Sequence, residues 1–185
     1  MTSIRQNRRA DILKAACDDF CESSFDRSRM ENIARRAGIG KSTIYEYFPS
    51  KTDLLQAVVE WVIEQACQEL SRIFNAETDF RSMVSEYLVY MSNLIGKAGP
   101  GMMTLRGNEP VFETVHSCGE RFRDFLVENI AEAIQRAAAR GEVSGKIEPT
   151  AAALLIVSMS SPTIAPTGYD MEQVLEVLFE GLEPR

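Results

Sequence analysis

SRMENIARRAGIGKSTIYEYFPSKTD, residues 28–53, decides how this chain folds. Two short helical patterns meet at Ala37-Gly38-Ile39-Gly40, and the second runs into aromatic residues and a Pro49-Ser50-Lys51 turn. Ser28 and Glu31 have the spacing of a capping box, in which both side chains satisfy N–H groups that a helix start leaves unpaired. Met30, Ile33, Ala34 and Ala37 recur at three- and four-residue spacing and make one apolar face. Ala34 and Ala37 are small enough for a second helix to pack close. Gly38 falls where the first helix stops, a position that calls for a left-handed backbone. Gly40 can cap the next helix. Ile44 and Phe48, four apart, face inward, which leaves Lys41, Ser42, Thr43, Tyr45, Glu46 and Tyr47 on or near the outward side. Pro49 ends this helix. Ser50 with Asp53 opens another, with Lys51 in its first turn. Such an arrangement suits a helix-turn-helix, in which one helix supports another that lies in the DNA major groove.

The outward residues fit that use. Short hydroxyls (Ser42, Thr43) reach base edges or phosphates, while Tyr hydroxyls and Lys ammoniums suit phosphate contacts near a helix N-terminus. Glu46 repels phosphate but can accept from a cytosine amino group. The competing reading is a three-helix bundle whose polar face is merely solvated.

The stretch resembles the DNA-binding domain of the TetR family of bacterial transcriptional regulators. The residues that carry the likeness are Phe25, Ser28, Ile33-Ala34, Ala37-Gly38-Ile39, Gly40, Thr43-Ile44-Tyr45-Glu46-Tyr47-Phe48 and Ser50-Lys51. The resemblance implies Ser28, Lys41, Ser42, Thr43, Tyr45, Tyr47 and Lys51 as the DNA-facing positions. Gly40 stands where a capping Ser is commoner, and Ser42 where many members have Gly.

Charge is unevenly placed. The chain carries −7 over 185 residues. Residues 1–52 hold ten Lys and Arg against seven Asp and Glu, a balance of +3, so the remainder stands near −10. The basic part is the part with the motif, and an acidic body repels DNA so that one surface binds productively. A balance of +3 suggests that a single unit binds weakly and that two must act together. Before the motif, Ile12, Leu13, Ala16, Cys17 and Phe20 define a first helix from near Ser3 to Glu22. Arg5, Arg8 and Arg9 at its start either touch DNA or are simply solvated.

No strand-like alternation follows Thr52. The periodicity predicts a long helix from Lys51 to about Phe74, joined to the motif without a flexible linker. A second helix runs from Phe80 to about Lys97, capped by Thr78-Asp79. Residues 96–110 hold Gly96, Gly99, Pro100, Gly101, Gly107 and Pro110 and read as a loop with a short helix around 102–106. Val111 to Arg140 is one long helix or two stacked ones, ended by Gly141. Pro149 suits the first position of an apolar helix from Thr150 to about Ser161. Asp170 with Gln173 caps a last helix. The expectation is an all-α chain of about nine helices. An N-terminal helix-turn-helix domain (1–50) is joined by a long helix to a C-terminal helical domain for ligand binding and dimerisation (51–185).

The family likeness implies that the last two helices pair between two subunits, a homodimer through Leu154, Leu155, Val157, Ser158, Val174, Leu178 and Phe179. The middle helices offer candidate walls for a small-molecule effector: Trp61, Gln65, Tyr87, Met91, Met102, Met103, Phe112, His116, Phe122 and Phe125. Plain core packing is the competing reading for each. No phosphate loop, metal-ligand spacing or nucleophile motif is present, so neither an enzyme nor a bound cofactor or metal is expected. Asp18 and Asp19 look like a solvated face. Four unpatterned cysteines, with no signal peptide or membrane span, suggest a reducing cytoplasm. Cys17 and Cys21, four apart on one helix, leave a redox-sensing regulator open, and a helical protein–protein adaptor is the other alternative.

Overall fold

The computed structural model describes the backbone of residues 2–103, 109–160 and 171–182. Among these the chain is all-helical, with α1 (Thr2–Ser23), α2 (Met30–Arg36), α3 (Lys41–Tyr47), α4 (Lys51–Phe74), α5 (Phe80–Met103), α6 (Glu109–Ala139), α7 (Pro149–Met159) and α8 (Met171–Leu182). Two compact units divide it. One holds residues 1–65 and 96–119, the other 66–95 and 120–185.

In the first unit α1 buries Ile12, Leu13, Ala16 and Phe20, the expected stripe. Ile33 and Ala34 of α2, Ile44 of α3 and Leu54, Leu55, Val58 and Val59 of α4 complete the core. Between α1 and α2 the chain turns through Ser24 at φ 67°. The Phe20 and Phe25 rings meet across this turn with centroids 5.7 Å apart. α2 ends in a Schellman motif: Ile39 N–H donates to the Ala34 carbonyl at 2.9 Å and Gly38 N–H to that of Arg35 at 3.1 Å. Gly38 sits at φ +68°, as the sequence required. α4 is capped by Ser50, whose Oγ accepts from Asp53 N–H at 3.1 Å and donates to Asp53 Oδ2 at 2.7 Å.

The capping box expected at Ser28 is not formed. Arg29 is the N-cap of α2 and makes no side-chain cap bond. Ser28 is turned inward and buried, its hydroxyl donating to the Ser24 carbonyl at 2.9 Å, with that of Asp19 at 3.4 Å.

The second unit is built on the later parts of α4 and α6, the first part of α5, and α7 and α8. Asp79 caps α5, accepting from Ser82 N–H at 2.9 Å and Ser82 Oγ at 2.7 Å. After α6, Glu142 N–H closes another Schellman turn on the Ala137 carbonyl at 2.9 Å, with Gly141 at φ +76°. The Glu142 carboxylate then accepts the Phe80 N–H at 2.7 Å and pairs with Arg140, so one residue ties the end of α6 to the start of α5. Glu148 caps α7, accepting from Thr150 and Ala151 N–H groups ahead of Pro149.

Two expectations change. The Gly- and Pro-rich run read as a loop continues α5 as helix to Met103, while residues 104–108 lie outside the described set. Gly costs a helix about 1 kcal/mol, and tertiary context can override so small a preference. Residues 111–139 belong to a single helix, α6, so eight helices are described where about nine were expected. The expected cap at Asp170 lies outside the described residues.

Candidate nucleic-acid interface

α3 separates its residues cleanly. Ile44 and, just beyond the helix, Phe48 are buried in the first unit's core. Lys41, Ser42, Tyr45 and Glu46 are exposed, and Thr43 and Tyr47 half-buried. Tyr45 is 41% exposed. Lys41 Nζ lies 2.7 Å from Glu31 Oε1, which raises the Lys41 pKa and lowers that of Glu31. Both groups are fully solvated, so the pair is a weak tether that a phosphate can compete with.

α1 supports this face from one side. The Arg5 guanidinium carbon sits 5.7 Å from the Tyr47 ring centroid, and that of Arg9 lies 5.5 Å from Phe48. These are cation–π distances. They draw the basic end of α1 to the end of α3, a long-range pairing that local spacing does not reveal. Arg36 of α2 is spent internally: its Nη2 donates to both Glu22 oxygens at 2.8 and 2.7 Å, and its Nη1 lies 3.5 Å from Asp19. Asp19 is therefore no solvated carboxylate. It is buried, and its Oδ2 has no hydrogen-bond partner.

Two of the implied DNA-facing residues have other duties. Ser28 is 3% exposed with its hydroxyl on backbone carbonyls, so it is withdrawn from the surface. Lys51 donates to the Phe25 carbonyl at 2.8 Å and the Ser28 carbonyl at 3.2 Å, leaving one of its three protons for another acceptor.

The effector-wall candidates fall in both units. In the second unit Tyr87 and Met91 are buried, with Phe122 and Phe125 half-buried against the same core. Phe74 links Tyr87 and Phe125, with ring centroids 5.8 and 6.4 Å away. Tyr87 Oη and Ser160 Oγ share a hydrogen bond of 2.7 Å, and burial pushes the phenol up to about 12. In the first unit Trp61 packs on the core, Gln65 is exposed, and Phe112 stacks on the exposed His116 with centroids 5.8 Å apart. The Met102 and Met103 side chains lie outside the described set.

On α7 Leu154 and Leu155 are 50% and 63% exposed, and Val157 and Ser158 are half-buried. On α8 Leu178 is half-buried and the side chain of Val174 is outside the described set. Phe179 is a correction: it packs edge-on against Phe80 at 5.9 Å and belongs to the chain's own core. Val177, 72% exposed, is the outward apolar residue that the helical stripe missed. Among the described residues no cluster of three or more His, Cys, Asp or Glu could hold a metal, and no helix is long and apolar enough to cross a membrane.

A curated relative, the nucleoid occlusion factor SlmA of Vibrio cholerae, is 28% identical over 121 residues, 64% of this chain and 58% of that protein. This chain thus spans less than two thirds of that relative's length. A transcriptional regulator from Cytophaga hutchinsonii has the same fold, with a TM-score of 0.75 at 22% identity over 93% of this chain and 96% of the other. FadR of Bacillus subtilis, a transcriptional regulator solved with stearoyl-CoA, superposes with a TM-score of 0.65 at 19% identity over 92% and 95% of the two chains. Residues 12–58, which hold the core of α1, the α2–α3 pair and the start of α4, match the family model of the bacterial regulatory proteins, tetR family. The helix-turn-helix region of this chain is thus similar to the DNA-binding domain of the TetR family.

Proposed function

We propose that the chain is a transcriptional repressor that binds a near-palindromic operator as a homodimer and is released by a small, mainly apolar effector. The observation that carries the DNA-binding part is the outward face of α3, where Lys41, Ser42 and Tyr45 are exposed beside buried Ile44 and Phe48. Residues 1–50 form the reading domain and 51–185 the regulatory one. Lys41, Ser42, Thr43, Tyr45 and Tyr47 touch DNA, and Lys51 acts mainly by fixing the loop before α2. A gel shift with promoter fragments at two salt concentrations tests this. One fragment should bind tightly and lose affinity with salt. An adaptor would prefer no fragment.

Dimerisation rests on Leu154, Leu155 and Val177, exposed apolar residues on the last two helices. Two recognition helices about 34–36 Å apart would then read one face of the duplex. Light scattering at micromolar protein should give a dimer, and a monomer would remove this part. The effector reading rests on the aromatic and Met-rich core around Tyr87, and on the likeness to a regulator solved with an acyl-CoA. Release follows from linkage, because a ligand that prefers a conformation with badly spaced reading heads lowers operator affinity by its differential binding. A ligand that binds the protein without changing operator affinity would count against it.

A further inference from the structure

Cys17 and Cys21 lie one turn apart on α1, both half-buried, Cys17 against the edge of the first unit's core, and each thiol is near enough to influence the other's ionisation. The turn between them carries Asp19, whose carboxylate faces Arg36 of α2, and Phe20, which is fully buried. Two convergent thiols in this register are badly placed for a disulfide. Residues i and i+4 of a helix hold their Cβ atoms roughly 5–6 Å apart, whereas a disulfide needs about 3.5–4.5 Å. Closing an S–S bond would unwind α1 at the point where it is tied to α2. A bridging atom that inserts between the sulfurs relieves that mismatch, because two bonds then span the gap in place of one.

We propose that Cys17 and Cys21 form a chelating dithiol site for a monosubstituted trivalent arsenical, R–As=O. Two As–S bonds form, the arsenic–oxygen double bond breaks, and the two thiol protons leave with that oxygen as water. Arsenic stays trivalent, so no oxidant or reductant is needed. Burial and the neighbouring Cys21 push the Cys17 thiol up to about 12, which starves any chemistry that depends on a free thiolate. Condensation that carries both protons away as water does not share that handicap. Of the other cysteines, Cys67 lies in the second unit and Cys118 is 3% exposed.

Intact-mass spectrometry of the full chain with one equivalent of phenylarsine oxide tests the site. The wild type should gain one probe less one water, and lose two titratable thiols. The adduct should survive excess monothiol and be removed by 2,3-dimercaptopropanol. Cys17→Ala and Cys21→Ala, each checked for unchanged helical circular dichroism, should weaken capture on the order of 100-fold or more, the usual advantage of two tethered contacts over one. The Cys67→Ala/Cys118→Ala double variant should bind like wild type. An adduct that persists in both Cys17→Ala and Cys21→Ala, that needs Cys67 or Cys118, or that monothiol strips from wild type overturns the proposal. No operator DNA is used, so this outcome is independent of the DNA-binding reading.

Discussion

Lys51 Nζ sits 4.3 Å from the centroid of the Phe25 ring and 2.8 Å from the carbonyl oxygen of the same residue. One ammonium thus holds both faces of the α1–α2 turn to the first turn of α4. Removing it as Lys51→Ala takes away a cation–π contact and two charge-assisted hydrogen bonds. The expected loss of folding stability is about 2 kcal/mol, read from urea denaturation. Lys51→Arg should recover part of it. Wild-type stability in the Ala variant would mean the clamp is not formed in solution.

Gly38→Ala isolates backbone strain. A Cβ at this position meets nothing within 4 Å, so no clash accompanies the change. The residue must still take φ +68° to close the Schellman turn. The cost should be about 1–2 kcal/mol, the penalty for a left-handed L-residue. Gly38→Asn should cost less, since Asn tolerates this region.

Lys41 and Tyr45 should part company from Lys51 in DNA titrations. Both are exposed, so Lys41→Ala and Tyr45→Phe should leave stability within about 0.5 kcal/mol. Lys41→Ala should reduce the slope of log affinity against log salt by about 1, the mark of one lost phosphate contact. An unchanged slope would take Lys41 out of the interface.

Acid should loosen the second unit's corner. Arg140, and then the Phe80 N–H, hold Glu142 below its ordinary 4.5, and Ser82 holds Asp79 below 3.8. A carboxyl group whose folded pKa is depressed contributes stability that is present above its ordinary value and lost as pH falls through the depressed one. Stability should therefore decline below about pH 4.5, by linkage. Glu142→Gln should start less stable at neutral pH and decline less steeply, as followed by urea denaturation across pH. Parallel curves for the two proteins would assign the acid loss elsewhere.

Much of this was legible because capping chemistry is local. The Ser50–Asp53 cap, the Gly38 and Gly141 stops and the Pro149 start placed α4, α7 and the ends of α2 and α6 from neighbours within four residues. Ser28 was misread because its fate depends on Ser24, a non-glycine at positive φ that turns the hydroxyl inward. Phe179 was misassigned because one stripe cannot say which side of α8 meets Phe80. The Arg5–Tyr47 and Arg36–Asp19 contacts join residues far apart in the chain, and periodicity carries no trace of them.

The internal employment of Arg36 and Lys51 bears on how such a protein would find its target. A net charge of +3 does not say which cations can reach phosphate, and these two are already committed to Glu22 and to the Phe25 and Ser28 carbonyls. Weak hold on random DNA shortens each unproductive stop. The expectation is a regulator that samples the chromosome in brief visits and lingers only where hydroxyls and rings of α3 meet matching base edges.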